Sequence, residues 1–474
     1  MPLLVRHPIK RLATRCISLC ACALIATLTS AASARASEAT TGYYSASEVV
    51  VKYATGVQPR TRAVIASAAG AKDPTVLAPH TRLLHLRAGV SVASALERLR
   101  HEHDVLWAVP NYVAHASALP VPDDTGTLNP HGPADGWEQL QWNFVGTFGI
   151  NALQAWTNVA ADGATGGRGV IVAVLDTGVA YANRGRFRRS PDFGRYQFVR
   201  GYDFVSHSPY PNDHNGHGTF VAGTIAEETN NGIGLTGLAF GAHIMPVRVL
   251  DSIGEGDASV IAEGVRYAVN HGAKIINLSL EFESEVHADD IPELIDALRY
   301  AHRRGVLVIA AAGNKDRDVI PYPARAKHVI AVGATTEHGC LASYSNHGRG
   351  ITLVAPGGGP DADLPGDPNC EPEAPAGRDI YQVTLTGHSP RKFGIPTDYE
   401  GTSMATPDVS ATAALIVASG VLGRNPTPAA ITARLKATAT KLGGPADSYF
   451  YGAGLVNAAA ATAAGGPGAV PPAS

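Results

Sequence analysis

The sequence of 474 residues lacks any strong imbalance of charge. It has 38 Lys and Arg against 41 Asp and Glu, which gives a formal net charge of −3 and a pI near 6.6. There is therefore no electrostatic reason to expect a nucleic acid or a membrane surface as a partner. Charged residues make up 17% of the chain and hydrophobic residues 45%, so the chain can bury a large core and need not be disordered.

Cysteine is scarce: the chain has five, and three of them lie within the first 22 residues. Only Cys340 and Cys370 lie further along the chain. An even number of cysteines in an oxidising compartment favours one disulfide. The spacing does not prove this pairing, and two free buried thiols are the alternative.

Long apolar runs are also lacking, apart from one stretch near the N-terminus. Four positive charges lie between residues 6 and 15, an apolar stretch runs from 16 to about 33, and Ala-Arg-Ala at 34–36 fits a small-x-small cleavage site. This pattern predicts a signal peptide over residues 1–36, and its apolar core is too short for a membrane span. We therefore expect a secreted protein, extracellular or periplasmic, without membrane association after signal removal. A lipoprotein attached through Cys22 is the less favoured alternative.

Two short motifs combine an apolar segment with a polar, ionisable residue. Residues 169–175 form an unbroken apolar run that predicts a buried parallel strand, and Asp176 follows at its carboxyl end, where open α/β sheets carry their sites. His217 lies between two glycines, directly before a predicted helix of small residues. Taken alone, the first motif also fits an ordinary turn, and the second also fits a helix cap.

A third motif, Gly-Thr-Ser-Met-Ala-Thr-Pro at 401–407, precedes a buried helix predicted over residues 405–419. Ser403 would lie at the helix N-terminus, where free N–H groups and the helix dipole favour a developing negative charge. Pro407 is expected within or next to the first turn. A capped, Ala-rich helix is the alternative for this motif alone.

The three motifs together, in the order Asp, His, Ser, make the chain similar to the subtilisin-like serine proteases (subtilases), in which the triad has this order. The similarity covers roughly residues 138–462 and implies hydrolysis of peptide bonds through an acyl-enzyme, without a catalytic cofactor. It implies that Ser403 is the nucleophile and that His217 is the general base and then the general acid. Asp176 would orient the imidazole, and Asn314 would help to bind the oxyanion.

Two other functions are compatible with parts of this pattern. A catalytically silent subtilase-like binding protein would be expected to have lost a catalytic residue, yet all four are present. A serine esterase of the α/β-hydrolase type would need Gly-x-Ser-x-Gly and the order Ser, Asp, His. Neither feature occurs around Ser403.

The resemblance also implies a cleft in which a peptide substrate lies as an added strand, held by backbone hydrogen bonds. Gly254 and Gly256 would belong to an edge strand, and Ser279 and Leu280 to its partner. Gly313 would line the primary specificity pocket. An ordinary loop is the alternative for the two glycines.

Glu281 occupies a position where subtilases usually have glycine. If its side chain faces the specificity pocket, the carboxylate would pair with a substrate Lys or Arg. If it faces solvent, it only narrows the entrance and disfavours large aromatic residues. One residue of register reverses the face of a strand, so the sequence leaves both orientations open.

A structural calcium site is a further expectation from the resemblance. Residues 229–235 resemble the family's calcium loop, and Asp192 matches its carboxylate. Because Ca²⁺ takes six to eight oxygen ligands, Asp192 and Asn231 would combine with backbone carbonyls. An Asn-rich turn without metal is the alternative.

The sequence predicts five segments, of which the signal peptide is the first. Residues 37–116 follow the signal peptide and are similar to subtilase propeptides, with strands predicted at 48–53, 83–86 and 105–112 and a helix at 92–101. Such propeptides assist folding and inhibit the enzyme until cleaved, whereas a permanent interaction domain is the alternative. Residues 117–137, rich in Pro, Gly and Asp, predict a linker suited to cleavage or flexible connection.

Strands alternate with helices over residues 138–462, which predicts an α/β fold, a subtilisin-like doubly wound parallel sheet with helices on both faces. Residues 463–474 predict a flexible tail. The expected partners are protein or peptide substrates and the chain's own propeptide, and the protein is expected to be a monomer.

The chain departs from the family pattern at three places. Phe220 stands where a second histidine usually follows the His-Gly-Thr motif, and Asp408 stands where a histidine usually follows Pro407. An insertion of about forty residues, 358–398, contains Cys370 and several prolines. We expect it to cover part of the site or to adjust specificity.

Overall fold

The structure is a computed structural model that describes residues 44–112, 121–130, 136–161, 163, 165–387, 389–443, 448–465 and 467–468. The predicted signal peptide, both ends of the predicted propeptide, parts of the linker and most of the tail lie outside these residues. Within the described residues, no helix is both long and apolar enough to cross a membrane.

The N-terminal domain, residues 44–112, is a four-stranded antiparallel sheet whose buried face is covered by two helices. Its elements are β1 (Tyr44–Tyr53), α1 (Pro59–Ala68), β2 (Ala71–Ala78), β3 (Thr81–Leu86), α2 (Val92–Arg100) and β4 (Val105–Tyr112), with the strand order β2-β3-β1-β4. The four predicted elements are confirmed. Helix α1 and strand β2 were missed, because α1 buries only Ile65 and Ala66 and β2 contains Asp and Pro, which disfavour strands.

The main domain is built on a seven-stranded sheet in which every pairing is parallel. Its strand order is β11-β10-β9-β8-β5-β7-β6. From β5 the chain first adds strands on one side and then crosses to the other side, so β5 lies at the switch point where such sheets bind ligands. The strands are β5 (Ile171–Asp176), β6 (Tyr202–Asp203), β7 (His243–Arg248), β8 (Ile275–Leu278), β9 (Leu307–Ala311), β10 (Val329–Thr335) and β11 (Leu353–Pro356).

Helices cover both faces of this sheet, as predicted. Alternate side chains of β5 enter opposite cores: Val172 and Val174 pack with the helices of one face, and Ala173 and Leu175 with those of the other. The first face carries α5 (Ala152–Ala161), α6 (His217–Ala226), α9 (Thr402–Ser419), α10 (Pro428–Thr438) and α12 (Ala458–Thr462), and the second carries α7 (Ala258–Asn270) and α8 (Pro292–Arg303). Short helices α3 (Gly136–Leu140), α4 (Trp142–Val145) and α11 (Ser448–Tyr451) complete the domain.

The insertion at 358–398 is folded onto the main domain. It contains the hairpin of β12 (Thr384–Leu385) and β13 (Phe393–Gly394). A disulfide joins Cys340 to Cys370, which confirms the pairing favoured from the cysteine count. Thr384 Oγ1 donates to the carbonyl of Gly216, directly before His217, so the insertion contacts the start of α6.

The described residues of the predicted linker are ordered and form hydrogen bonds with the main domain. Asp124 and Thr125 are buried, and the indole N–H of Trp137 donates to the carbonyl of Pro122 at 2.9 Å. The backbone N–H of Gly126 donates to the carbonyl of Gly234 at 2.9 Å. The expectation of flexibility is therefore wrong here, because Pro, Gly and Asp are also the residues of ordered turns.

Candidate active site

Asp176 and His217 meet at the carboxyl end of the sheet. Asp176 is the last residue of β5 and is fully buried, and its Oδ1 lies 2.8 Å from Nδ1 of His217. His217 is the first residue of α6, and its side chain is 25% exposed. Burial lowers the pKa of His217, but the charge of Asp176 and the hydrogen bond that the imidazole donates to it outweigh this and raise the pKa above its ordinary value.

A buried carboxylate that the sequence analysis missed shapes the turn before α6. Asp213 Oδ1 accepts hydrogen bonds from the Thr177 hydroxyl and from the backbone N–H groups of Asn215 and Gly216, at 2.9 to 3.0 Å. Its Oδ2 accepts from the N–H and hydroxyl of Thr219. Asp213 therefore ties the end of β5 to the start of α6 and fixes the position of the histidine. The Asp-x-Asn-Gly turn pattern before His217 was the available signal.

Ser403 is the second residue of α9, which begins at Thr402 and not at residue 405 as expected. Its hydroxyl donates to the carbonyl of Ser279 at 3.3 Å, and Ser279 lines the same cleft as His217. Among the described residues, no hydrogen bond joins Ser403 to His217. Active-site hydrogen bonds often form only when substrate is bound.

Pro407 is the sixth residue of α9, so it lies inside the helix, next to the first turn, which is one of the two places expected for it. Proline has no N–H, so the carbonyl of Ser403, four residues earlier, lacks its helical partner. The hydroxyl of Ser279 donates to this carbonyl at 2.8 Å. Pro407 therefore leaves free a backbone acceptor through which Ser403 is bonded to Ser279 in the wall of the cleft.

Thr402 holds the amide group of Asn314. Asn314 Oδ1 accepts from the N–H of Thr402 at 2.8 Å and from its hydroxyl at 2.9 Å. The hydroxyl of Thr402 in turn accepts from the N–H of Gly313 at 3.1 Å. With Oδ1 engaged, Nδ2 has no acceptor among the described residues and is available to an oxyanion. The sequence analysis did not assign this role to Thr402.

A cleft of about 570 Å³ extends from His217 and is lined by all four predicted peptide-binding residues of its two walls: Gly254, Gly256, Ser279 and Leu280. The two strands predicted at this place are not formed, and both walls of the cleft are irregular segments. On one side, the carboxylate of Asp251 accepts the N–H groups of Ile253 and Glu255, which makes a turn.

Gly313 lies directly before Asn314, and the side chain of Glu281 lies over it. A Cβ atom on Gly313 would be 2.0 Å from Oε2 of Glu281. Gly313 also has φ +98°, a conformation that favours glycine. The orientation of Glu281 that the sequence left open is therefore toward Gly313.

Comparison with known proteins identifies the family. The model of the Subtilase family matches residues 167–454, and the model of the Fervidolysin N-terminal prodomain matches residues 30–111. The chain belongs to the subtilase family. The predicted family, the fold and the enzyme class of serine protease are confirmed, and residues 44–112 are the described part of a prodomain.

Several subtilases resemble the chain over most of its length. The thermophilic serine proteinase of Bacillus sp. (strain AK1) is 32% identical over 415 residues, covering 87% of this chain and 86% of that protein. Subtilisin Savinase of Lederbergia lenta is 39% identical over 318 residues, covering 66% and 98%. Among solved structures, a protease from Pseudoalteromonas arctica PAMC 21717 has a TM-score of 0.56 and 28% identity, covering 72% of this chain and 98% of that one.

The predicted metal ligands of this subtilase contact each other. Nδ2 of Asn231 donates to Oδ1 of Asp192 at 2.7 Å, and the N–H of Leu235 donates to Oδ2 at 2.8 Å. Asp124, which the sequence analysis missed, accepts from the N–H groups of Asn230 and Asn231 at 3.1 Å. Burial raises the pKa of Asp124 to about 6 and that of Asp192 well above its ordinary value. Among the described residues, no group of three or more His, Cys, Asp or Glu side chains is arranged to hold a metal ion.

The two departures near the catalytic helices each have a packing partner. Phe220 stacks on Tyr399, the residue directly after the insertion, with ring centroids 4.3 Å apart and planes 7° from parallel. Asp408 is fully buried in α9, and its Oδ1 accepts from Nδ2 of Asn143 at 3.5 Å. Burial raises the pKa of Asp408 well above its ordinary value. Both departures are therefore matched by contacts within this chain.

Proposed function

We propose that this subtilase is a secreted serine endopeptidase that is made as a self-processing precursor and uses Asp176, His217 and Ser403 as its triad. The observation that carries the proposal is the 2.8 Å contact between the buried carboxylate and the imidazole, in a cleft whose wall holds the serine. The amide of Asn314, oriented by Thr402, supplies a donor beside that serine.

In the proposed reaction, the Ser403 hydroxyl turns from the carbonyl of Ser279 toward Nε2 of His217 when a peptide enters the cleft. His217 takes the proton as Ser403 Oγ attacks the scissile carbonyl, and Asp176 stabilises the imidazolium. Nδ2 of Asn314 and the N–H of Ser403 donate to the oxyanion, next to the N-terminus of α9.

His217 then donates its proton to the leaving amine, which departs and leaves an ester on Ser403. Water enters in place of the amine, and His217 activates it by the same proton transfer. Hydrolysis of the ester releases the acid product and regenerates the serine. No step requires a cofactor.

The test is to express the precursor and the variants Ser403→Ala, His217→Ala and the double variant side by side. Because these residues act in one proton transfer, each single change should lower kcat by about 10⁶, as breaking the triad does in subtilisin, and the double change by little more. Asp176→Asn should cost less.

Wild type should shorten itself from 49.2 kDa and hydrolyse casein, and the variants should do neither. Ser252→Ala, which removes an exposed hydroxyl at the edge of the cleft, is the matched control and should behave as wild type. Casein hydrolysis that survives in Ser403→Ala, or additive losses in the double variant, would contradict the proposed triad.

We also propose that the prodomain acts as an intramolecular inhibitor through the open face of its sheet. Trp107 and Val109 of β4 lie on the face opposite the prodomain core and are 41% and 36% exposed. Such apolar exposure is typical of a docking surface. In a time course of maturation, casein hydrolysis should appear only as the prodomain fragment disappears, and full activity beside intact fragment would overturn the inhibitor role.

Calcium binding is a third proposal. Asp124 and Asp192 are buried carboxylates, and the charge of Asp124 contributes to the raised pKa of Asp192. Neither has a cationic partner among the described residues. Together with Asn231 they form a set of hard oxygen donors, which suits Ca²⁺. The ion would neutralise the two charges and join the segment before the main domain to the loop after α6.

A further inference from the structure

The carboxylate of Glu281 lies where the side chain before the scissile bond would enter. Its Oε2 occupies the space over Gly313, and its Oε1 accepts the N–H of Asn314 at 3.4 Å. In the proposed reaction Asn314 binds the oxyanion of the scissile carbonyl, so the carboxylate of Glu281, which lies over Gly313, is close to the reacting bond. The position of Glu281 over Gly313 follows from its contacts and does not depend on a strand register.

Every second residue from Glu281 to Glu285 has its side chain directed toward the segment that begins at Gly313. Glu283 forms an ion pair with Lys315, and Glu285 forms one with Arg317 at 3.0 Å. Glu281 is the first of these three glutamates, and it faces backbone instead of a cation. Within the described residues, no Lys, Arg or His side chain forms an ion pair with it.

Acidic side chains predominate in the lining of the cleft. Among the described residues, this lining includes Glu255, Glu281 and Glu283 but no lysine or arginine, and His217 is its basic side chain. Glu283 is neutralised by its own partner, so the carboxylates of Glu255 and Glu281 remain to interact with substrate. A cleft of this kind attracts cationic peptides and raises their association rate.

We infer that this cleft selects peptides with lysine or arginine directly before the scissile bond, and that Glu281 is the residue that recognises the positive charge. The inference rests on the proposed endopeptidase function and adds its substrate class. A lysine ammonium or arginine guanidinium entering beside Gly313 forms a charge-assisted hydrogen bond with Glu281. An apolar side chain must displace the carboxylate or bury it without a partner.

Because Glu281 is half-buried, we expect it to discriminate more strongly between a cationic and an apolar substrate side chain. Burial raises the pKa of Glu281 above its ordinary value, although the N–H of Asn314 and the charge of Lys315 act in the opposite direction. A substrate cation restores the interaction that the carboxylate lost with water. Losing such a partner in a desolvated site typically costs about 10- to 100-fold.

Self-processing does not require lysine or arginine before the bond that is cut. Residues 113–120, between the prodomain and the main domain, contain neither lysine nor arginine. An intramolecular cut is favoured by the high effective concentration of the attached segment, so it does not need the preferred residue. The preference is therefore measured on separate peptides.

The experiment compares kcat/KM on a set of peptides that differ only in the residue before the scissile bond: Lys, Arg, Leu and Phe. Wild type should prefer Lys and Arg to Leu by about 10- to 100-fold. Glu281→Gln keeps an oxygen acceptor for Asn314 and should lose this preference while keeping its rate on Leu. Glu281→Gly opens the space over Gly313 and should gain on Phe. Glu285→Gln, whose carboxylate pairs with Arg317 outside the described lining of the cleft, is the matched control and should change the preference by less than about threefold.

Three results would overturn the inference: a wild-type preference for Leu or Phe, an equal loss on all four peptides in Glu281→Gln, or the same shift in Glu285→Gln. These results leave the proposed endopeptidase intact, because the peptides are still cut. If wild type cuts none of the peptides and no casein, the endopeptidase itself is refuted, and the specificity falls with it.

Discussion

Thr402 shows how much of the site's precision depends on residues without a chemical role of their own. Its hydroxyl and N–H both bond to Asn314, 88 residues away in the chain. Held in this way, the amide presents its N–H groups to an oxyanion without reorganising during the reaction, which is where such donors are most effective. Thr402 is thus a positioning residue that acts through Asn314.

Replacing Thr402 tests this role. Thr402→Val removes the hydroxyl bonds and should lower kcat by about 10-fold, less than the 10²–10³ expected for loss of Asn314 itself, with little change in KM. Thr402→Ser keeps the hydroxyl and should restore most of the rate. Steady-state kinetics on one peptide would decide, and equal rates for the Val and Ser variants would show that the hydroxyl does not position the amide.

The pKa of His217 predicts the pH dependence of the enzyme. In the proposed reaction His217 must be neutral to accept the serine proton, and Asp176 raises the pKa of His217 above its ordinary value. The value of kcat/KM should therefore fall as the pH drops through this raised pKa. Asp176→Asn removes the charge that raises this pKa, so the residual activity should persist to lower pH. A pH–rate profile measures both, and an acid limb that does not move in Asp176→Asn would contradict the coupling.

Most residues of the site were accessible from the sequence; Asp213 was missed although its turn pattern is local, whereas Thr402 and Asp124 were missed for a different reason. Asp176, His217 and Ser403 each lie in a short, local motif. Thr402 and Asp124 act through hydrogen bonds to partners 88 and 106 residues away, which no local pattern reveals. Contacts across such separations are visible only once the chain is folded.

At the scale of elements, helix α9 shows where sequence rules mislead. A proline is expected in the first turn of a helix, yet Pro407 lies in the interior. The carbonyl that Pro407 leaves free accepts the hydroxyl of Ser279, so the lost helical bond is replaced across the cleft. The strand predicted over residues 169–175, by contrast, is found as β5 at Ile171–Asp176, because an unbroken apolar run in an α/β chain has few alternatives.

The buried Asp408 of α9 predicts a pH-dependent loss of stability. Its folded pKa is raised, so the folded state holds the proton more tightly than the unfolded state, and stability falls as the pH rises above the unfolded value of 3.8. Asp408→Asn cannot ionise and still accepts from Asn143. In a Ser403→Ala background, its stability relative to the parent should therefore be greater at pH 8 than at pH 5.

Urea unfolding at the two pH values measures this difference. Asp363→Asn, an exposed carboxylate, is the matched control and should show no such trend. If the gap between Asp408→Asn and its parent is the same at both pH values, Asp408 is not held protonated.

The disulfide between Cys340 and Cys370 makes a separate prediction about the insertion. It closes a segment with a sequence separation of 30, for which chain entropy gives about 3–4 kcal/mol. The variant with both cysteines replaced by serine, again with Ser403→Ala, should unfold at a lower temperature. An unchanged melting temperature would mean that the packing of the insertion does not need the bond.

At the scale of the whole molecule, the segment before the main domain is part of its structure. Residues 122–127 bond to the loop after α6, and Asp124 and Asp192 bring two buried charges together there. If Ca²⁺ binds, chelation should lower the melting temperature of the Ser403→Ala protein, and calcium at about 100 times its Kd should add about 2.7 kcal/mol.

Two variants separate this site from general effects of calcium. Asp124→Asn should abolish the difference between calcium and EDTA, whereas Asp123→Asn, its exposed neighbour, should keep most of it. The same melting temperature for the parent in calcium and in EDTA would refute the site.

The stacking of Phe220 on Tyr399 has a consequence for anyone who exchanges loops between subtilases. The insertion is anchored to the helices near the triad by this stack, by the indole of Trp142 bonded to the carbonyl of Asp379 at 2.9 Å, and by Thr384 on Gly216. These contacts make the insertion a packed part of the main domain and not a detachable module. A graft that replaces residues 358–398 with a short loop would remove Ile380, which packs in one cluster with Phe220, and would leave Tyr399 without the segment that precedes it. We expect such a graft to expose Phe220 in part, near His217.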